Sequence, residues 1–216
     1  MIKLTKLKCP DVLSKNKERW TAELMSYVDK YEKPPPNVAS RYNNPEIKSV
    51  LKKETHGKCA YCESHFEHVA FGDIEHIKPK AKYPQLTFEW QNLTCACQQC
   101  NNNKRDEYDE NCPPIDPYVD DPGAFLKAVG PFIRPQNGNK KGEQTETLLK
   151  LNRKPLWENR KRRIRYLKAC LFDKYFNETD EDKRKALLSE IREEIAETKE
   201  YSFCLKSFFE QMHADH

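Results

Sequence analysis

Two Cys-x-x-Cys pairs, Cys59/Cys62 and Cys97/Cys100, enclose residues 63–96 and constrain this chain more than any other feature. Two-residue spacing lets both thiolates of a pair reach one tetrahedral zinc, and four sulfurs close its coordination sphere, so the expected Zn²⁺ is structural. The interval between the pairs exceeds the roughly 15–20 residues of a simple ribbon, so the zinc should staple the base of a larger excursion. Cys95 would break the two-residue spacing and is read as packing beside the knuckle. Cys9, Cys112, Cys170 and Cys204 lack ligand spacing, and with nine cysteines in all an all-disulfide framework leaves one unpaired. Reduced thiols are expected. His65 and His68, three residues apart, read as solvent-facing rather than as ligands.

Within the excursion, Phe71–Ile77 predicts a short strand, ended by Lys78-Pro79 because proline lacks an amide donor. Leu86–Trp90, aromatic and β-branched, predicts a second strand, with Asn92 in the turn that follows. Cys97–Asp106 reads as a knuckle opening into a polar helix. Strand, strand, knuckle and helix would bring Glu75, His76 and Asn101 together.

In order, Cys-x-x-Cys, Glu75-His76-Ile77-x-Pro79, Asn92-Leu93 and Cys97-x-x-Cys100-Asn101-x-x-Lys104 resemble the ββα-metal core of the HNH endonucleases over residues 56–106. The resemblance implies a phosphodiester hydrolase in which His76 is the general base and Glu75 and Asn101 hold a catalytic ion. It also implies that Asn92 pins the loop that aims His76. The family commonly has histidine where this chain has Glu75 and Asn101. Oxygen donors with several waters suit Mg²⁺, with Mn²⁺ substituting. Asp73 shares a strand face with Glu75 and is a second ligand or an outer acceptor. Lys104, one helical turn beyond Asn101, is placed to contact substrate phosphate. A histidine near its ordinary pKa of about 6.5 serves as a base at neutral pH.

The fold expected is α+β and mostly helical: a small zinc-stapled HNH core surrounded by N- and C-terminal helices. Residues 1–44 form a helical segment (Lys15–Glu32) and a Pro34-Pro35-Pro36 linker, and residues 45–110 the nuclease core, entered by a helix over Pro45–Thr55. Residues 111–144 form a connector, irregular where Pro, Asp and Gly crowd Pro113–Asn139. Residues 145–216 form a helical region with helices over Thr145–Leu151, Lys154–Phe176, Lys183–Lys199 and Tyr201–His213. A net charge of +4 is only mildly basic, so distribution matters more than total. Arg153, Lys154, Arg160, Lys161, Arg162, Arg163, Arg165 and Lys168 stand against Glu158 alone. Lys161, Arg165 and Lys168 project from one side of the helix and, with Arg162, are expected to track nucleic-acid phosphates; a solvated basic face, or one that pairs with acidic segments such as Glu178–Asp182 or a partner protein, is the competing reading. No apolar run approaches a membrane span and the first residues have no export h-region, so a cytoplasmic location without membrane contact is expected.

Further motifs lie outside the core: Gly57-Lys58-Cys59-Ala60-Tyr61-Cys62-Glu63, Asp116-Pro117-Tyr118-x-x-Asp121-Pro122, and Leu148-Leu149-x-Leu151-Asn152-Arg153 with Leu156 and Arg160. With them the chain resembles, over residues 43–165, the PtuB family of HNH nucleases from Septu and retron antiphage systems. That resemblance implies a bacterial defence effector acting on nucleic acid, DNA first. It also implies an ATPase partner of the PtuA type and, in retrons, a reverse transcriptase with its RNA-linked DNA. An RNA-cleaving effector and a catalytically silent zinc adaptor are the competing readings.

Overall fold

The structure, a computed structural model, describes residues 1–66 and 72–214; His68 lies outside them. The chain enters through α1 (Asp11–Ser14) and α2 (Lys17–Val28), which buries Trp20 and Leu24. Within the proline linker Pro35 keeps the extended polyproline II conformation, φ −59° and ψ 150°. Pro36 opens a single turn, α3 (Pro36–Ala39), because proline fixes φ near the helical value and tolerates the first helical position. In α4 (Pro45–Glu54), the Asn44 side chain accepts from Glu46 N at 2.8 Å, and Ile47 and Leu51 face the core without exposure.

Next come β1 (Asp73–His76) and β2 (Leu93–Ala96), antiparallel in the register Asp73↔Ala96, Ile74↔Cys95, Glu75↔Thr94 and His76↔Leu93. Helix α5 (Gln98–Lys104) follows directly and packs on β1. The second strand is not where aromatic composition predicts it. Pro84–Leu86 and Trp90–Asn92 are 3-10 turns, closed locally by Thr87 N to Pro84 O and Asn92 N to Glu89 O. Phe88 instead buries itself against Trp20, ring centroids 5.5 Å apart. The true strand, Leu93-Thr94-Cys95-Ala96, is buried at every position, so it shows none of the polar alternation that marks a half-exposed strand.

The connector is not wholly irregular either. It holds a turn of helix, α6 (Pro122–Phe125), and a hairpin of β3 (Leu126–Val129) and β4 (Phe132–Pro135), joined through Gly130 at φ 54°. Helix α7 (Lys140–Leu148) is capped by the Asn139 side chain, which accepts from Gly142 N at 3.0 Å. Helix α8 (Lys154–Leu167) runs through a π turn at Lys168–Phe172 into α9 (Asp173–Asn177). α10 (Glu181–Glu194) stops five residues short of the expected Lys199, and α11 (Ser202–Ala214) lies against β3.

One apolar core joins these parts: Leu51, Phe88 and Leu93 beneath the ββα unit continue into Leu126, Ile133, Leu149, Leu151, Leu167, Phe172 and Leu205. Buried charges tie its edges. Glu63 accepts from the Met1 ammonium at 2.6 Å, while Lys58 donates to the carbonyls of Glu197 and Lys199. No described helix is long and apolar enough to cross a membrane.

Candidate active site

The four cysteines converge. Cys59 and Cys62 lie in the turn after α4, anchored to the sheet by Ala60 N donating to Cys95 O at 3.0 Å; Cys97 and Cys100 sit at the start of α5. All four are buried, with their sulfurs within 4.8 Å of one another. A tetrahedral ion with Zn–S bonds of about 2.3 Å sets its sulfurs about 3.8 Å apart, and Cys62 and Cys97 stand 3.8 Å apart. An all-sulfur, buried donor set of this size fits zinc. Cys95 faces elsewhere, fully buried, its thiol pushed up to about 12 by burial.

Sequence reasoning put Arg153 in the basic track; the fold puts it on the knuckle. Its guanidinium donates to Cys100 Sγ at 3.5 Å and Cys97 Sγ at 3.8 Å. Burial alone would lower this guanidinium, but the cysteine sulfurs hold it above its ordinary value. A tetrathiolate zinc carries two net negative charges, and a buried cation beside two of the sulfurs offsets part of that charge.

On β1, Asp73 and Glu75 fall two residues apart on one face; on α5, Asn101 and Lys104 fall three apart on the face that meets it. Asn101 Nδ2 donates to Asp73 Oδ2 at 3.4 Å, and Lys104 Nζ lies 2.8 Å from Glu75 Oε1. Asp73 and Asn101 are half-buried, whereas Glu75 and Lys104 are buried. Burial pushes the Glu75 carboxyl up, against the pull of Lys104. Lys104 therefore does not reach outward to a phosphate. Its ammonium is committed inside the fold, to Glu75 and, at 2.8 Å, to the carbonyl of His76. Glu75 Oε1 has this countercharge but no aligned hydrogen-bond donor. Two carboxylates and the side-chain amide of Asn101 thus line one side of β1, and oxygen donors of these types fit a hard divalent cation better than zinc.

His76, next along β1, turns its ring the other way. Its Nε2 is 2.9 Å from Thr87 O, and a carbonyl only accepts, so this nitrogen carries the hydrogen and Nδ1 keeps its lone pair. Tyr42 packs edge-on against the imidazole, ring centroids 4.6 Å apart. Burial brings the His76 pKa down to about 4; the Thr87 carbonyl opposes the shift, and the cations of Lys80 and Lys104 add to it. The imidazole is neutral throughout the physiological range, more firmly than an ordinary histidine.

Asn92 closes the loop that supplies Thr87. Its Oδ1 accepts from Lys78 N at 2.8 Å, and its Nδ2 donates to Lys78 O at 3.0 Å and Leu86 O at 3.2 Å. Neither Tyr42 nor Thr87 was legible as a site residue: one comes from a segment without motif, the other acts through its backbone.

The basic segment divides. Arg160 is buried and donates to Leu151 O at 2.8 Å and Pro131 O at 3.3 Å; Arg163 pairs with Glu194. With Arg153 on the knuckle, three of the eight cations are structural. Of the four expected phosphate contacts, Lys168 pairs with Asp173 and Lys161 lies over the Trp157 ring. Arg162 donates to its neighbour Asn159, and Arg165 is exposed.

Residues 59–107 match the family model described as HNH endonuclease. The chain is also similar to Septu protein PtuB of Bacillus thuringiensis, 30% identical over 70% of this chain and 55% of that protein. Septu protein PtuB of Bacillus mycoides (strain KBAB4) is 30% identical over 55% of this chain and 51% of its own length. The chain spans about half the length of the curated relatives it matches. Sulfur knuckle, ββα geometry and these likenesses agree: the chain carries an HNH endonuclease domain within a sequence related to the Septu PtuB proteins along much of its length.

Proposed function

We propose that this chain hydrolyses phosphodiester bonds of nucleic acid, DNA first, as a cytoplasmic effector of Septu-type antiphage defence. The observation that carries this reading is the pose of His76: a neutral imidazole with Nε2–H fixed on the Thr87 carbonyl and Nδ1 left as base. Nδ1 takes a proton from water as the water oxygen bonds to phosphorus and the bond from phosphorus to the 3′ oxygen breaks. Asn92 keeps the Thr87 carbonyl in place, and Tyr42 limits rotation of the ring. Asp73, Asn101 and Glu75 would hold Mg²⁺ or Mn²⁺ beside His76. A bound divalent cation there supplies Lewis-acid stabilisation of charge on the phosphate and the departing oxygen. The cysteines hold zinc and take no part in the chemistry.

The likeness to Septu proteins supports a setting with an ATPase partner of the PtuA type, and retron reverse transcriptase with its RNA-linked DNA is the variant setting to compare. The test is labelled DNA and RNA incubated with the purified chain and Mg²⁺ or Mn²⁺, with and without the ATPase. His76→Ala should retain zinc and substrate binding and lose on the order of 10²- to 10⁴-fold in cleavage rate. Undiminished cleavage by that variant overturns the mechanism. Cleavage confined to RNA reassigns the substrate, and binding without cleavage under every combination makes the chain an adaptor.

A further inference from the structure

The sequence directs attention to α8 for nucleic-acid contact, but the cations nearest His76 lie elsewhere. Leaving β1, the chain places lysines at alternate positions: Lys78, Lys80 and Lys82. Lys80 is exposed, and its ammonium donates to the Tyr42 hydroxyl at 2.6 Å. The same Tyr42 ring lies 4.6 Å, centroid to centroid, from the imidazole of His76. One tyrosine therefore touches both the candidate base and an exposed cation.

Part of the basic segment is already committed to carboxylates, although Lys161, Arg162 and Arg165 have no such partner among the described residues. Arg163, Lys168 and Lys154 each have a carboxylate partner within 4.0 Å. Among the described residues, Lys78, Lys80 and Lys82 have none. Lys78 lies over the rings of Tyr83 and Tyr108 at 5.5 and 5.8 Å, and Lys82 donates to Tyr108 O at 3.4 Å. Of the acids close by among the described residues, Glu110 is taken by the Tyr83 hydroxyl at 2.6 Å, Glu89 pairs with Lys17, Asp120 pairs with Lys141, and Asp116 accepts from Tyr118 N. Uncommitted cations interleaved with tyrosines suit a phosphodiester strand, with ammonium groups meeting phosphates and rings offering faces to bases.

We propose that Lys80 binds a backbone phosphate of the strand whose scissile phosphate faces His76, with Tyr42 as the positioning residue that fixes its ammonium relative to the imidazole. This rests on the nuclease reading above and adds the substrate's path to it: the strand crosses the 78–83 loop. An ammonium has three donors, so Lys80 can keep its bond to the Tyr42 hydroxyl and still donate to a phosphate. DNA and RNA share the chemistry, and both serve as probes.

Binding is measured apart from cutting, in a His76→Ala background, by fluorescence anisotropy of labelled DNA and RNA oligonucleotides across a salt series. Lys80→Met should weaken binding and reduce the slope of log affinity against log salt by about 0.9 for duplex or about 0.7 for single strands. Lys80→Arg should restore both. Lys185→Met, a charge-matched change on the exposed face of α10, should do neither. In the cleaving protein, Lys80→Met should raise KM more than it lowers kcat, and Tyr42→Phe should lower kcat with little change in KM. A Lys80→Met slope equal to that of the parent overturns the proposal while the nuclease reading stands. A parent that neither binds nor cuts DNA or RNA overturns both.

Discussion

Lys104 and Glu75 form an ion pair inside the protein, 2.8 Å from Nζ to Oε1, with side-chain exposures of 1% and 7%. The pair locks α5 to β1, and the second bond of the ammonium, to His76 O, fixes the end of the strand. Removing one partner leaves the other buried and unpaired, which costs about 3–5 kcal/mol. Lys104→Met should lower unfolding stability by that amount in urea titration of the zinc-loaded protein. Lys104→Met combined with Glu75→Gln should recover part of it, because no uncompensated charge is left. A single variant as stable as the parent would show that the carboxyl is held neutral without its lysine.

Asn92 makes three hydrogen bonds to the backbone of the loop that holds His76. Replacing it by Ala leaves Lys78 N and two carbonyls without their side-chain partner in a partly buried place, a loss of about 1–3 kcal/mol. Asn92→Ala should therefore lower both stability and cleavage, whereas Asn92→Asp keeps the acceptor for Lys78 N but faces two carbonyls with oxygen. The measurement is thermal unfolding beside single-turnover cleavage. Asn92→Asp is expected to fall near Asn92→Ala, and full activity in either variant would free the loop from a part in aiming the imidazole.

The residues that announced themselves in the sequence are those whose chemistry depends on spacing. Two-residue cysteine intervals put Cys59, Cys62, Cys97 and Cys100 on one centre, and strand and helix periods put Asp73 and Glu75 opposite Asn101 and Lys104. What escaped was set by tertiary packing. Leu86–Trp90 has strand composition, yet Phe88 is drawn to Trp20 on a distant helix, and the strand forms from a run too fully buried to alternate. Arg153 and Arg160 look like surface charge in a basic run, since only the fold shows sulfurs and carbonyls around them. His76 keeps its expected place on β1, but its pKa of about 4 follows from burial that no dipeptide reveals.

Gly142 in α7 tests the connector's hidden order. A Cβ at this position would stand 2.2 Å from Phe125 O and 3.4 Å from Pro135 Cα. Backbone cannot yield as a side-chain tip does, so Gly142→Ala must push α7 away from α6 and β4. Exposed helical glycines gain about 1 kcal/mol on becoming alanine; here the sign should reverse, with a clear fall in melting temperature. Gly130, in the hairpin turn, has open space at its Cβ but a φ of 54°. Gly130→Ala should cost only about 1 kcal/mol, from backbone conformation alone. Equal effects from the two would mean that α7 does not pack on the hairpin as closely as these contacts require.

Arg153 joins the two ends of the domain's stability problem, because it stands just before α8 and donates to sulfurs at the start of α5. Four thiolates around zinc repel one another, and a guanidinium against two of them offsets that repulsion while holding the C-terminal helices on the knuckle. Loss of such an outer partner typically weakens metal affinity by about 10- to 100-fold. The parent should hold about one zinc per chain. Arg153→Met should hold the same amount as purified but release it faster to a chromogenic chelator, by a factor of this order. Arg153→Lys keeps the charge without the guanidinium fork and should fall between the two. Cys97→Ser, which removes a ligand outright, should fail to retain zinc and lose the folded core. If Arg153→Met releases zinc at the parent's rate, the sulfurs are balanced by the ion and their own backbone, and the arginine serves α8 alone.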